Sequence, residues 1–369
     1  MHSFKATCTK APVPPGRAEP LRRRESLLYF FFTGALRSMA ASVCLLAFSL
    51  VASAAWEKQP SGTMAWLHAV HFLDEQRGWV AGTSGTLLMT TNGGQSWNAL
   101  ERRPTEDAIR DIYFSDQQTG WIVCERDIYK LRTKEEPRTY LMKTVDAGRT
   151  WQRINIIGAD SDARLVRAVF TADGHGWAFG EAGALYSTRD AGVSWSRRPA
   201  PTRYLLLGGT FLDKERGWLV GAGATILQTY DGGETWRAGL VEAKGVRFTS
   251  VSFVEQRIGW AVGTEGRIFM TLDGGRTWRA QNSTVKSDLL DVKFLNASEG
   301  WAAGHDGVLL HTTNSGIQWK VVPSGTTHPI ERLFFVGRDR AWAVGFGGTI
   351  LSYTRQGGAP KAPELKRQK

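Results

Sequence analysis

The chain has 369 residues and 42% hydrophobic content, which excludes a disordered protein and allows one large domain or two ordinary ones. Its 41 glycines and 15 tryptophans require many tight turns and a recurring aromatic position, the composition of an all-β repeat protein. The net charge of +11 falls to +6, from 39 basic and 33 acidic residues, once the first 54 residues are set aside, so composition gives a nucleic-acid partner little support.

Those first residues differ from the rest. A basic "LRRRE" at 21–25 precedes two apolar runs, "LLYFFFTGAL" (27–36) and "MAASVCLLAFSLVASAA" (39–55), with the small residues Ala52 and Ala54 near the end. This order fits a secretory signal over 1–54, cleaved near Ala54, and therefore export. An uncleaved anchor is the alternative, because apolar residues over 27–55 are long enough to span a bilayer if Arg37 is tolerated. Cys8 and Cys44 fall in this leader, so the remainder keeps only Cys124 and no internal disulfide.

From residue 55 onward the chain repeats. Gly-Trp occurs at Trp79, Trp121, Trp177, Trp218, Trp260 and Trp301, and Ala-Trp at Trp342 completes seven units with a period of about 41 residues. A phenylalanine stands seven residues before each: Phe72, Phe114, Phe170, Phe211, Phe253, Phe294 and Phe335. Each unit reads as a strand ending at the phenylalanine, a strand such as "GWAVG", a short turn, a third strand, a glycine-rich hairpin and a last strand that opens on tryptophan. Four short strands per repeat predict a seven-bladed β-propeller over 55–356.

The hairpin has the form T/S-x-D/N-x-G-x-x-W. It carries Asn92, Asp146, Asp190, Asp231, Asp273 and Asn314, and ends at Trp97, Trp151, Trp195, Trp236, Trp278 and Trp319. The seventh unit lacks its tryptophan, and Trp56 stands 23 residues before Trp79, the offset of the missing copy. The segment at Trp56 is therefore expected to complete the C-terminal blade and close the ring, which removes open sheet edges. Trp66 is the one tryptophan without a place in the repeat. A charged insertion at about 125–142 interrupts the second unit, and 357–369 is expected to be a disordered basic tail.

The hairpin motif looks like the Asp-box of sialidase-type propellers. Combined with "GWAVG" strands and the period of about 41, it resembles more closely the photosystem II stability and assembly factor family, over residues 56–356. That resemblance implies an exported, non-catalytic propeller that assists assembly of a membrane complex, with a membrane protein as partner and an arginine-rich docking surface. It also leaves an Asp-box glycosidase or glycan-binding propeller as the alternative.

The residues themselves favour a structural role for the hairpin carboxylates, each accepting backbone hydrogen bonds within its own turn. The turn acids Glu181, Glu265 and Asp306 are isolated on different blades, so no carboxylate pair for glycoside cleavage is evident. His68 and His71 lie three apart in a strand, which disfavours joint metal ligation, and no metal or cofactor is expected. The remaining signal is a set of arginines in the loops that lead into the inner strands: Arg110, Arg164, Arg167, Arg203 and Arg247. Either they serve solubility, neutralised by neighbours such as Asp107, Asp111, Asp160 and Asp162, or they form a docking face for an acidic segment of a partner, with the protein acting as a monomer in both cases.

Overall fold

The computed structural model describes residues 56–131, 136–154, 156 and 163–355. The expected leader and basic tail lie outside the described residues. Seven sheets, each with four antiparallel strands, form seven blades, and the fifth blade gains a short parallel strand, Leu240–Val241, beside Thr277–Gln281. Their inner strands are Leu67–Phe72, Ala108–Phe114, Leu165–Phe170, Leu206–Phe211, Phe248–Phe253, Leu289–Phe294 and Ile330–Val336. The seventh blade takes Trp56–Gln59 as its outermost strand, with Trp56 opposite Tyr353 and Gln59 opposite Ile350. The ring therefore closes as the lone Trp56 predicts.

The repeated aromatics hold blade to blade. Trp79 stacks on Phe114 of the next blade at 3.8 Å, Trp177 on Phe211 at 3.6 Å, Trp218 on Phe253 at 3.6 Å, and Trp260 on Phe294 at 3.4 Å. Trp342 closes the circle on Phe72 at 3.5 Å. Six of the seven phenylalanines also meet the hairpin tryptophan of their own blade edge-on, as Phe253 meets Trp278 at 5.9 Å and 86°. Such sandwiches bury large apolar areas and add the preference of aromatic rings for offset or perpendicular pairing.

The glycine of Gly-Trp has a steric reason. A Cβ on Gly259 would come within 2.5 Å of the Phe253 ring that lies across it. The seventh blade has Ala341 instead, and there Phe335 is displaced: it lies 6.3 Å from Trp301, while His311 stacks on that indole at 4.0 Å.

The hairpins share one hydrogen-bond scheme. In "TLDGGRTW" the Thr271 hydroxyl donates to Asp273 Oδ1 at 2.8 Å and accepts from the Gly275 amide at 2.9 Å. Asp273 Oδ1 also accepts from the Thr277 amide at 2.9 Å, and Oδ2 from the Thr277 hydroxyl at 2.6 Å. Asn92 and Asn314 keep the amide contact, from Ser96 and Gln318, at 3.0 Å. The hydroxyl of Thr150 holds Asp146, and that of Ser194 holds Asp190, at a pKa of about 2. The second glycine is fixed by backbone geometry, Gly275 having φ of +91°, whereas Ala147, Ala191 and Ser315 occupy the first position at +55° to +63°. Trp97, Trp151, Trp195, Trp236, Trp278 and Trp319 all follow these turns, and the Nε1 of Trp278 donates to Gly275 O at 3.0 Å.

Two charged devices complete the ring. Asp111 and Asp291 occupy the same place on their inner strands, and their Oδ2 atoms accept the amides of Ala168 (3.3 Å) and Leu333 (2.9 Å) on the following blades. Glu299 of the sixth blade, almost wholly buried, receives Arg338 and Arg355 of the seventh at 2.6 Å each.

The insertion is shorter than expected. The second strand of its blade continues to Glu125 and the third starts at Thr139, so Glu125 and 139–142 belong to strands. Cys124 is buried, and desolvation pushes its thiol pKa up.

Candidate docking face

The loops entering the inner strands share one end of the ring, the upper face, with the turns between second and third strands. Backbone hydrogen bonds tie them together, as from Glu181 to Arg164 O at 2.8 Å and from Thr264 to Arg247 O at 3.1 Å. A Cβ on Gly266, at φ of +68°, would collide with the carbonyl of Val285 in the adjoining loop, which shows how closely turn and loop approach. The glycine-rich hairpins lie at the opposite, lower end, pinned to the turns between first and second strands, as in Gly274 to Arg257 O at 3.0 Å.

Four of the five expected arginines lie at the upper end, in different settings. Arg110 Nε donates to Glu125 Oε2 at 2.5 Å, and Arg164 Nε to Glu181 Oε1 at 3.0 Å. Arg138 joins both acids, at 3.4 Å to Glu125 and 3.3 Å to Glu181. Glu125 thus sits at the centre of three guanidinium groups, because Arg164 Nη1 also approaches it at 3.5 Å. Arg247 faces Asp288 at 3.7 Å with half its side chain exposed, and Arg203 is exposed with no ion pair among the described residues. A cleft of about 350 Å³ opens beside the network, lined by Thr83, Asp107, Arg110, Glu125, Arg126 and Arg138.

Arg167 does not belong to the face. It is 6% exposed, inside the ring, where burial lowers its guanidinium pKa to about 10 and the charge of Arg332 adds to the effect. Arg167 lies within the inner strand Leu165–Phe170 and not in the loop before it, so its side chain is directed by the strand into the ring. Burial raises the pKa of nearby Asp111 against the opposing charges of Arg167 and Arg332. Burial also works against ionising Asp291, but Lys293, Arg332 and Arg167 outweigh it and hold that pKa low.

His68 joins the first, second and seventh blades. Its Nδ1 meets Glu331 at 3.0 Å and its Nε2 meets Arg110 Nη1 at 2.9 Å. A guanidinium can only donate, so Nε2 accepts and Nδ1 carries the proton toward Glu331. His71 has different partners: its Nε2 donates to Phe114 O at 3.0 Å, and burial lowers its pKa to about 4. The two histidines share no ligand geometry, and no group of three metal-ligating side chains occurs among the described residues.

The turn acids stand apart. Glu265 pairs with Arg267 at 3.3 Å and Asp306 accepts from Ser287 at 2.7 Å, while Glu181 is held by two arginines. Sequence reading missed Glu125, Arg138, Glu331 and His68 as members of the network. The charged insertion was a signal for the first two, since it delivers Glu125 and Arg138 beside Arg110 and Arg164.

A closed ring of seven four-stranded blades, with charged and aromatic side chains gathered on its upper loops, defines a seven-bladed β-propeller. The family model described as "Photosynthesis system II assembly factor YCF48" matches residues 48–128, 99–204, 199–280 and 243–333, and the chain belongs to that family. The photosystem II stability/assembly factor HCF136, chloroplastic, of Arabidopsis thaliana is 29% identical over 128 residues, covering 33% of this chain and 28% of that protein. The chain thus spans little more than a quarter of that relative's length. A solved YCF48 bound to D1 peptide superposes with a TM-score of 0.68 at 21% identity, over 84% of this chain and 99% of the other. The GH74 xyloglucanase from Xanthomonas campestris gives 0.63 at 13% identity, over 83% and 54%. At these identities the structural likenesses concern the fold alone. Among the described residues no helix is long and apolar enough to cross a membrane.

Proposed function

We propose that this protein is a non-catalytic assembly and stability factor, exported to a periplasm or thylakoid lumen. As a monomer it holds a segment of a membrane-protein subunit while a membrane complex is built, photosystem II where the host is photosynthetic. The observation that carries this reading is membership in an assembly-factor family across the blades themselves, joined to an upper face where Arg203 and Arg247 stand exposed beside the Arg110–Glu125–Arg138–Arg164–Glu181 network. The solved relative with a D1 peptide supports a peptide of a photosystem II membrane protein as the class of partner.

The network qualifies the idea of a uniformly basic face. Glu125 and Glu181 already engage Arg110, Arg138 and Arg164, so an incoming carboxylate must exchange with them, whereas Arg203 is free to meet one directly. Arg167 lies too deep for a flat contact and contributes to the potential of the channel.

Glycoside cleavage remains the second reading only because GH74 propellers share the fold. Two acids facing one bond are what that chemistry needs, and the described upper-face acids are divided among separate arginine and turn partners. The test is crosslinking in native membranes with wild type and with Arg203→Glu/Arg247→Glu. Loss of the crosslinked membrane subunit is expected, and undiminished recovery would count against the face. Hydrolysis of fluorogenic glycosides by the purified chain would overturn the non-catalytic part.

A further inference from the structure

Trp66 stands outside the blade repeat, and the structure gives it an unusual setting. It is 37% exposed on the upper face, with its ring 5.4 Å from that of Phe346 at 82°, and Phe346 is itself 44% exposed. On its other side Phe346 meets the His328 ring at 5.5 Å and 87°. Met64, 80% exposed, lies two residues before Trp66. Trp66 also lies 5.4 Å from His68, which links this patch to Arg110 and the charged network.

The fold does not demand these side chains. Phe346 occupies the first position of the turn between second and third strands, where other blades carry Thr83, Glu181, Ala222, Thr264 and His305. At all six turns the residue's amide makes the same backbone hydrogen bond to the adjoining loop, as from Phe346 to Pro329 O at 3.0 Å and from His305 to Asp288 O at 2.9 Å, and Thr83, Thr264 and Glu181 add a polar side-chain bond to that loop which Phe346 cannot make. A threonine or histidine serves there equally well, so a solvent-exposed phenylalanine flanked by a tryptophan is a departure from the repeat without a stabilising need.

We propose that Trp66 and Phe346 form an anchor for one aromatic or long aliphatic side chain of an extended polypeptide segment laid across the upper face. The inference rests on the reading of that face as a docking surface and adds a specificity element to it. Size selects the occupant. The exposed parts of the two rings and Met64 amount to roughly 300 Å², against about 800 Å² per partner for a stable protein pair, so the patch suits one inserted side chain and is too small for a second copy of the chain. Rigid aromatic rings next to charged groups are also the composition of interface hot spots.

The experiment pans a phage-displayed library of short random peptides against the full chain and measures the selected peptide by fluorescence anisotropy. The selected peptides are expected to share an aromatic, leucine or methionine position. Trp66→Ser and Phe346→Ser, with thermal melting unchanged, are expected to weaken binding about tenfold each. Phe346→Leu, which keeps an apolar contact, should stay within about threefold of wild type. Selection without a shared apolar position, failure to select any binder, or serine variants that bind like wild type would each overturn the anchor. If Arg203→Glu/Arg247→Glu weakens binding while the serine variants do not, the anchor fails and the docking face stands. If neither set has an effect, the docking face fails with it.

Discussion

Replacing Trp177 by Phe and, separately, Trp79 by Phe removes the same group from equivalent positions in two blades. Both indoles are essentially unexposed and both stack on the next blade's phenylalanine, at 3.6 Å and 3.8 Å. They differ in one bond: Trp177 Nε1 donates to Gly232 O at 2.8 Å, whereas Trp79 Nε1 is buried without a partner among the described residues. The smaller ring costs each variant about 1–2 kcal/mol. Trp177→Phe loses in addition a hydrogen bond of about 1 kcal/mol, while Trp79→Phe removes a buried donor that costs about 1–3 kcal/mol to leave unpaired. Trp177→Phe should therefore be the less stable by about 2–4 kcal/mol, a difference of roughly 3–6 °C in melting temperature for a ring of this size. Equilibrium urea unfolding followed by circular dichroism measures it. Equal destabilisation, or a larger loss for Trp79→Phe, would refute the assignment of the inter-blade hydrogen bond.

Three further outcomes are expected. His71 is neutral in the fold down to a pKa of about 4 while the unfolded chain takes a proton near 6.5, so its contribution is full above pH 6.5 and falls by about 3 kcal/mol as pH drops to 4. His71→Gln should remove that slope from urea midpoints measured over this range. Asp190, with its pKa lowered to about 2, contributes stability above its ordinary pKa that is lost as pH falls toward 2. Asp190→Asn should change stability at pH 7 by less than about 0.5 kcal/mol, because Asn92 and Asn314 make the same turn, and should flatten the acid limb of the urea midpoint curve. Glu299→Gln weakens the clamp on Arg338 and Arg355 and should cost about 2 kcal/mol, with hydrogen exchange rising first in Ile350–Thr354 of the closing blade.

The architecture was legible because the repeated residues are the ones that touch. Gly-Trp and the phenylalanine seven residues earlier recur at fixed spacing since each tryptophan must meet the next blade's phenylalanine, and the glycine leaves room for that ring. The Ala341 departure proved equally meaningful, as it displaces Phe335 and lets His311 stack on Trp301. The upper face was only partly legible. Its arginines could be counted from the loops, but their pairing depends on Glu125 and Arg138 returning across the insertion, contacts that spacing does not encode. Arg167 was misplaced because the inner strand begins at Leu165, so a residue counted with the entry loop is the third of the strand and its side chain is buried. Trp66 stood out from the repeat, yet its partner Phe346 lies 280 positions away and only ring closure brings them together.

The most direct test of the central claim is binding of a labelled D1 peptide to the purified chain by fluorescence anisotropy, comparing upper-face and lower-face charge reversals. Arg203→Glu/Arg247→Glu should weaken the complex at least tenfold, and Arg149→Glu/Arg276→Glu on the hairpins should leave it unchanged, since the latter arginines lie at the opposite end of the ring. Equal loss from both pairs, loss from the lower pair alone, or no binding by wild type would contradict the account.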